Sequence, residues 1–285
     1  MFYFDPKLQY EVRVDTPDPR FARLLQQAIG GVEGEIRVCL QYLFQAFGAR
    51  GPARYRQMLL STGTEEMAHI EMLATAVALN LEGAPGHLQD EAARTNPVVA
   101  AVMGGIDPRQ YLSAGMAALA ADANGVPFNG SHVYASGNLV ADMYANVTAE
   151  ATGRALACRL FELTDDPGMR DMLRFLIARD TMHQQQWLAV IEELGGHTAT
   201  LPIPNSFPVE EEHRDVSYDF VFTGVSGVEP PTGRFTQGPS LDGLGTFRLV
   251  PAEPRGQEPQ LAPPAPQAYA QTQQQLSDSD ERQIL

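Results

Sequence analysis

Apolar residues recur three and four positions apart along four long stretches of this chain, the spacing of one buried helical face. The first stretch runs from about Asp18 to Phe47, after the start signal Thr16-Pro17-Asp18-Pro19. Its stripe is Leu25, Ala28, Val32, Cys39, Tyr42 and Ala46, with Glu35 inside it. The second runs from about Ala53 to Leu81, on Tyr55, Leu59, Thr62, Leu73 and Val77, with Glu66 and His69 in mid-stripe. The third runs from about Ser136 to Leu163, on Leu139, Met143, Asn146, Gly153, Ala157 and Leu160, with Glu150 in mid-stripe. The fourth starts at Pro167 behind the capping Asp166 and runs to Leu194, where Gly195-Gly196 ends it. Its stripe is Met169, Leu173, Leu176, Trp187 and Val190, and it encloses Asp180 and His183.

The connections arrange these helices. The break from Gly48 to Pro52 is short, so the second helix returns antiparallel to the first. The connection from Glu82 to about Ser136 is interrupted by Gly and Pro, with one short helix expected over about Pro108 to Ala121. It is too long for a hairpin and long enough to cross a bundle, as in ferritin-like folds. The expected fold is therefore all-α: a ferritin-like four-helix bundle, residues 1–196, with a long crossover between helices 2 and 3. Residues 197–285 are expected as an extended C-terminal arm. Phe220 to Phe222 and Phe247 to Val250 are candidate short strands, and the composition beyond Leu261 is that of a disordered tail.

Charged groups inside apolar stripes are expensive unless paired. Glu66-x-x-His69 and Asp180-x-x-His183 each place a carboxylate and an imidazole on one helix face, about 4.5 Å apart along the axis. Glu35 and Glu150 add one carboxylate from each of the other two helices. This order of single, pair, single, pair follows the di-metal carboxylate plan of helix bundles. Four packed carboxylates would repel one another, and two divalent cations would balance Glu35, Glu66, Glu150 and Asp180. Oxygen and imidazole donors suit manganese or iron, and spacing alone does not separate these. Peroxide disproportionation and oxygen activation both fit a redox-active pair. A di-iron oxidase or peroxidase, or a metal-storage or structural relative, are the rival readings.

Composition narrows the rest. The 285 residues carry a formal net charge of -15, which argues against nucleic acid as a partner. No run of eighteen apolar residues marks a membrane span, and Met1 to Pro6 lacks the basic and apolar regions of a signal peptide. The two cysteines, Cys39 and Cys158, fall at apolar helical positions and are read as buried free thiols. A cytoplasmic protein with no membrane partner is expected.

Several stretches resemble the manganese catalase family (dimanganese, non-haem). They are Gly34-Glu35-Ile36 with Gln41 to Phe47, Thr64 to Glu71, Ala149 to Arg154, Thr164 to Gly168 and Ala178 to Trp187, together with the loop Asn124 to Ser131. The resemblance covers about residues 20 to 250. It implies a protein that disproportionates hydrogen peroxide to water and dioxygen on two manganese ions per subunit, without haem. It implies Glu35, Glu66, His69, Glu150 and His183 as metal ligands, with Glu66 bridging. Tyr42 would be a hydrogen-bond partner outside the ligands, and Arg154 would balance carboxylate charge. Some relatives carry a longer Glu at the position of Asp180 as a proton relay. The shorter Asp would relay a proton through water or hold His183. Some relatives bind calcium through aspartates at the positions of Gln57 and Ser61, and neither is acidic here, so no calcium is expected. The family also implies a hexameric homo-oligomer with tails wrapping neighbours. A narrow entrance would admit peroxide, with the connection from Glu82 to Ser136 as candidate lid.

Overall fold

The computed structural model describes residues 5–82 and 107–260. It divides into two compact units: Met1–Glu212 with Leu241–Leu244, and His213–Ser240 with Gly245–Leu285. Part of the long connection and the tail beyond Leu261 lie outside the described residues. The first unit is predominantly helical and continues past Gly196, through a short helix over His197–Thr200. Thr200 is buried there and shares a 2.9 Å hydrogen bond with the Tyr144 hydroxyl, which fastens this segment to the long helices.

The single helix expected over Asp18 to Phe47 is two helices, α1 (Pro19–Gly30) and α2 (Glu35–Gly48). Asp18 caps α1 by accepting the Arg20 N–H, and Pro19 fills the first turn. The break follows from Gly30-Gly31 and Gly34, poor helix formers placed in sequence. Gly30 is also a close-approach site: a Cβ there would lie 2.5 Å from the Ala121 backbone. The break turns Val32 outward, where it is 40% exposed instead of part of the stripe. It also makes Glu35 the first residue of α2, in the turn where free N–H groups favour an anion.

The next helix, α3 (Ala53–Leu81), has the expected bounds. Helix α4 covers only Pro108–Leu112, short of the expected Ala121. The backbone turns left-handed at Gly115 (φ 59°) and Met116 (φ 71°), which no α-helix accommodates. The segment after it is tied to α1 by the buried Gln26 amide, which donates to the carbonyls of Leu119 and Ala121. Helix α5 (Leu139–Glu162) starts at Asn138, whose side chain accepts the N–H groups of Val140 and Ala141. Helix α6 (Pro167–Glu193) is capped by Asp166, as its sequence signal requires. Both α1 and α2 pack on α3, and α5 packs along α6.

The core of this unit falls into two apolar clusters. One holds Phe21, Leu25, Met72, Leu73, Leu160 and Leu173. The other holds Tyr42, Tyr55, Leu59, Met143, Trp187 and Val190. On α3 and α6 the chain passes from one cluster to the other through Glu66 and His69, and through Asp180 and His183. The polar groups thus form a buried layer between two apolar halves. The lead-in before α1 is extended and packs on α6: Tyr10 stacks on Phe175 with centroids 4.5 Å apart, and Asp15 and Thr16 donate their N–H groups to Asp166.

The second unit contains a small sheet of order β1-β3-β2, from Asp219–Phe222 (β1), Gly238–Pro239 (β2) and Thr246–Pro251 (β3). The two candidate strands of the sequence are β1 and β3, and they pair in parallel with Phe220 opposite Leu249. Arg248 beside them donates to Asp219 at 2.8 Å.

Gly168 lies in the first turn of α6, where alanine is normally the better helix former by about 1 kcal/mol. Here a Cβ would fall 2.0 Å from the Arg13 carbonyl oxygen. Gly168→Ala is expected to destabilise the protein by about 1–3 kcal/mol through that overlap, read as a lower midpoint in thermal or urea unfolding. A stabilised variant would show that the lead-in does not hold this position.

Candidate metal centre

Four helices bring their polar residues to the layer between the two clusters. Helix α2 contributes Glu35, α3 contributes Glu66 and His69, α5 contributes Glu150, and α6 contributes Asp180 and His183. All are buried except Glu35, whose side chain is 15% exposed and forms the open edge of the layer. Ligand-type atoms of Glu35, Glu66 and His69 lie within 4.8 Å of one another, and so do those of Glu66, Glu150 and His183. Glu66 belongs to both groups. Its Oε2 is 2.7 Å from His69 Nδ1, and its Oε1 is 2.8 Å from His183 Nδ1.

These close approaches are not hydrogen bonds, because the groups are misaligned for donation. Glu66 Oε1, His69 Nδ1 and His183 Nδ1 are buried without a hydrogen-bond partner. Such atoms cost about 1–3 kcal/mol each when left bare. Cations between the two groups would satisfy them together, and oxygen with imidazole nitrogen is the donor set of manganese and iron sites. The residues present therefore fit a pair of metal ions that share one carboxylate.

The electrostatics are those of a crowded anionic site. Burial, and then the neighbouring Glu66, push the Glu35 carboxyl up to about 8 and that of Asp180 up to about 7. The same two causes hold Glu150 well above the usual carboxylate range. Burial acts on Glu66 as well, but His183 and His69 more than offset it and bring Glu66 down to about 2. Burial would lower both imidazoles. The facing carboxylates reverse this, raising His183 to about 10 and His69 well above its ordinary value. Without cations, the layer holds protons in their place.

The surrounding residues are arranged as follows. Tyr42 is fully buried, donates its hydroxyl to Glu150 Oε1, and packs at 4.8 Å against the Trp187 ring. It thus meets a carboxylate from α5, although it shares its own helix face with Glu35. Arg154 donates to the Thr181 hydroxyl at 3.2 Å and to Cys158 Sγ at 3.3 Å, and its charge eases the ionisation of Asp180. Cys39 is buried, whereas Cys158 is only partly so, and both are free thiols. A buried amide cluster of Gln41, Gln45 and Asn146 fastens α2 to α5 one turn before Glu150.

The sequence reading missed Glu65. Its Oε2 lies 3.1 Å from His183 Nε2 and its Oε1 lies 3.7 Å from His69 Nε2. Arg179 and Gln9 donate to the same carboxylate. These contacts outweigh the upward pull of partial burial and hold Glu65 well below the usual carboxylate range. The available signal was its position four residues before His69, which puts both on one face.

Comparisons with known proteins identify the family. The family profile of manganese containing catalases matches residues 1–283. A manganese catalase of Lactiplantibacillus plantarum is 44% identical over 264 residues, covering 90% of this chain and 98% of its own. A manganese catalase of Bacillus subtilis is 41% identical over 266 residues, covering 93% and 96%. The uncharacterized protein YjqC of Bacillus subtilis (strain 168) is 47% identical over 252 residues, covering 88% and 90%. The crystal structure of KatB, a manganese catalase from Anabaena, superposes with a TM-score of 0.69 at 25% identity, covering 88% of this chain and 99% of that one. A family-profile match along almost the whole chain, and relatives above 40% identity, lead to one conclusion: this chain belongs to the manganese-containing catalase family.

Proposed function

We propose that this protein is a dimanganese catalase that disproportionates hydrogen peroxide to water and dioxygen. The observation that carries the reading is the pair of carboxylate–imidazole groups that share Glu66 between two apolar clusters. Glu35, Glu66 and His69 would hold one manganese ion, and Glu66, Glu150 and His183 the other. When bound, the two ions would supply the two-electron redox couple that the reaction needs. Membership of the family supports manganese over iron and peroxide as the substrate.

The reaction sets a proton requirement that the chain must meet. Reducing one peroxide to two waters consumes two protons and two electrons, and oxidising a second to dioxygen returns them. Asp180 belongs to neither ligand group, yet its buried carboxyl faces the same layer, so its oxygens are placed to hold one of these protons between half-reactions. Tyr42 keeps Glu150 in place through its hydroxyl. The apolar clusters on either side exclude bulk water, and Glu35 and Glu65 are the partly exposed carboxylates at which a small substrate would meet the layer.

The reading extends to architecture. The helices follow the plan of a ferritin-like four-helix bundle, and the residues after the bundle would act as an arm that wraps neighbouring subunits of a homo-oligomer, with a hexamer as the expected state. The reading includes no haem, and no calcium either, since Gln57 and Ser61 offer no carboxylate. Two free thiols fit the cytoplasm, and among the described residues no helix is long and apolar enough to cross a membrane.

Elemental analysis with an oxygen electrode tests the reading directly. About two manganese ions per chain and one dioxygen per two peroxides are expected. Iron in their place, or peroxide consumed without dioxygen, would overturn it. Asp180→Asn is expected to keep its manganese and lose about 100-fold in kcat; full turnover would remove Asp180 from proton transfer. The raised groups also fix a pH dependence. In the metal-free fold Glu35 keeps a proton between pH 4.5 and 8, and His183 between 6.5 and 10, where the unfolded chain has released it. Stability of the metal-free protein should therefore fall as pH rises from about 6 to 9, while manganese binding, which displaces those protons, should strengthen. Melting temperatures with and without manganese across that range would show the two trends diverging.

A further inference from the structure

We infer that Glu65 is the positioning residue of the metal centre, a single carboxylate that orients both ligand imidazoles from behind. The inference rests on the reading of His69 and His183 as metal ligands. Each ring presents Nδ1 to Glu66, at 2.7 Å for His69 and 2.8 Å for His183. Each therefore turns Nε2 the other way, and Glu65 stands there for both. His183 Nε2 is hydrogen-bonded to Glu65 Oε2 at 3.1 Å, and His69 Nε2 faces Oε1 at 3.7 Å with no other partner among the described residues. The two rings lie nearly parallel, at 25° with centroids 5.8 Å apart, so one carboxylate is hydrogen-bonded to His183 and stands within ion-pair range of His69.

The carboxylate is itself held. Arg179 grips both oxygens, Nε to Oε1 at 2.6 Å and Nη2 to Oε2 at 3.2 Å, and Gln9 of the lead-in donates to Oε1 at 2.8 Å. This two-point grip fixes the carboxylate plane as well as its charge. Arg179 lies four residues before His183 on α6, as Glu65 lies four before His69 on α3, so the clamp is built from matching positions on two facing helices. An Nε2–H donated to a carboxylate leaves the Nδ1 lone pair free for a cation and makes the ring a stronger donor. Because one group serves both rings, a change at Glu65 reaches both metal positions. A Gln in its place would keep one acceptor and turn the other into a donor, so it could serve one imidazole and not the other.

The test is chelator competition for manganese on full-length wild type, Glu65→Gln and Arg179→Gln, beside the melting temperature of each metal-free protein. In Glu65→Gln the weaker of the two manganese dissociation constants should rise about ten- to a hundredfold. Arg179→Gln keeps the charge of Glu65 but loosens it, and should move the same constant in the same direction by less. Arg179 is partly exposed, so this variant carries the test if Glu65→Gln does not fold. In zinc-loaded protein, a diamagnetic probe, the imidazole N–H proton resonances of both histidines should shift upfield in Glu65→Gln. A folded variant with wild-type manganese affinity and unshifted N–H protons would overturn the role of Glu65 and leave the ligand reading intact. Wild type that binds no manganese would overturn both.

Discussion

The structure depends on one constraint: a layer of ionisable groups buried between two apolar clusters. Moving one such ion out of water costs several kcal/mol even after relaxation. The layer holds Glu35, Glu66, Glu150, Asp180, His69 and His183. Such groups persist there only if they neutralise one another, through protons in the metal-free chain and, in the proposed loaded state, through cations. Glu66 stays ionised because two imidazoles face it, and burial followed by the Glu66 charge raises Glu35, Glu150 and Asp180. The charge on each group of the layer therefore depends on its neighbours.

Around that layer the fold supplies rigidity. The break between α1 and α2 delivers Glu35 on a helix N-terminus at the rim, where an anion is favoured and the side chain keeps some access to solvent. Tyr42 and the amide cluster of Gln41, Gln45 and Asn146 fix α5 against α2 near Glu150. Glu65, gripped by Arg179 and Gln9, stands behind the imidazoles. Supporting contacts of this kind fix the directions of these side chains, and would lower the reorganisation that loading the proposed site requires.

The division of labour between neighbours follows from helical geometry. Glu65 and Glu66 are adjacent in sequence, and about 100° apart around α3. Glu66 faces the layer and both Nδ1 atoms, while Glu65 faces α6 and both Nε2 atoms. Arg179 and Asp180 repeat this on α6, one gripping Glu65 and the other entering the layer. Two consecutive charged residues thus do different work on each of two helices.

Much of this was legible in the chain. Periodicity marks α3 and α6 to within a residue, and the caps at Asp18 and Asp166 mark their helix starts. Polar residues inside apolar stripes reveal the layer, because burial without a partner is too costly to be accidental. Other features were decided by contacts between segments far apart in sequence, which no local pattern encodes. The continuous stripe from Leu25 to Ala46 hides the break at Gly30, where the backbone of Ala121 comes too close for a side chain. Tyr42 finds Glu150 from another helix, and Glu65 reads as a solvated charge until α6 brings His183 and Arg179 against it. Sequence alone determined most of the buried positions, through periods of three and four, but not that Val32 turns outward or that Cys158 is only partly covered. The tertiary structure decided which atom of each group faces which partner, because that depends on how the helices meet.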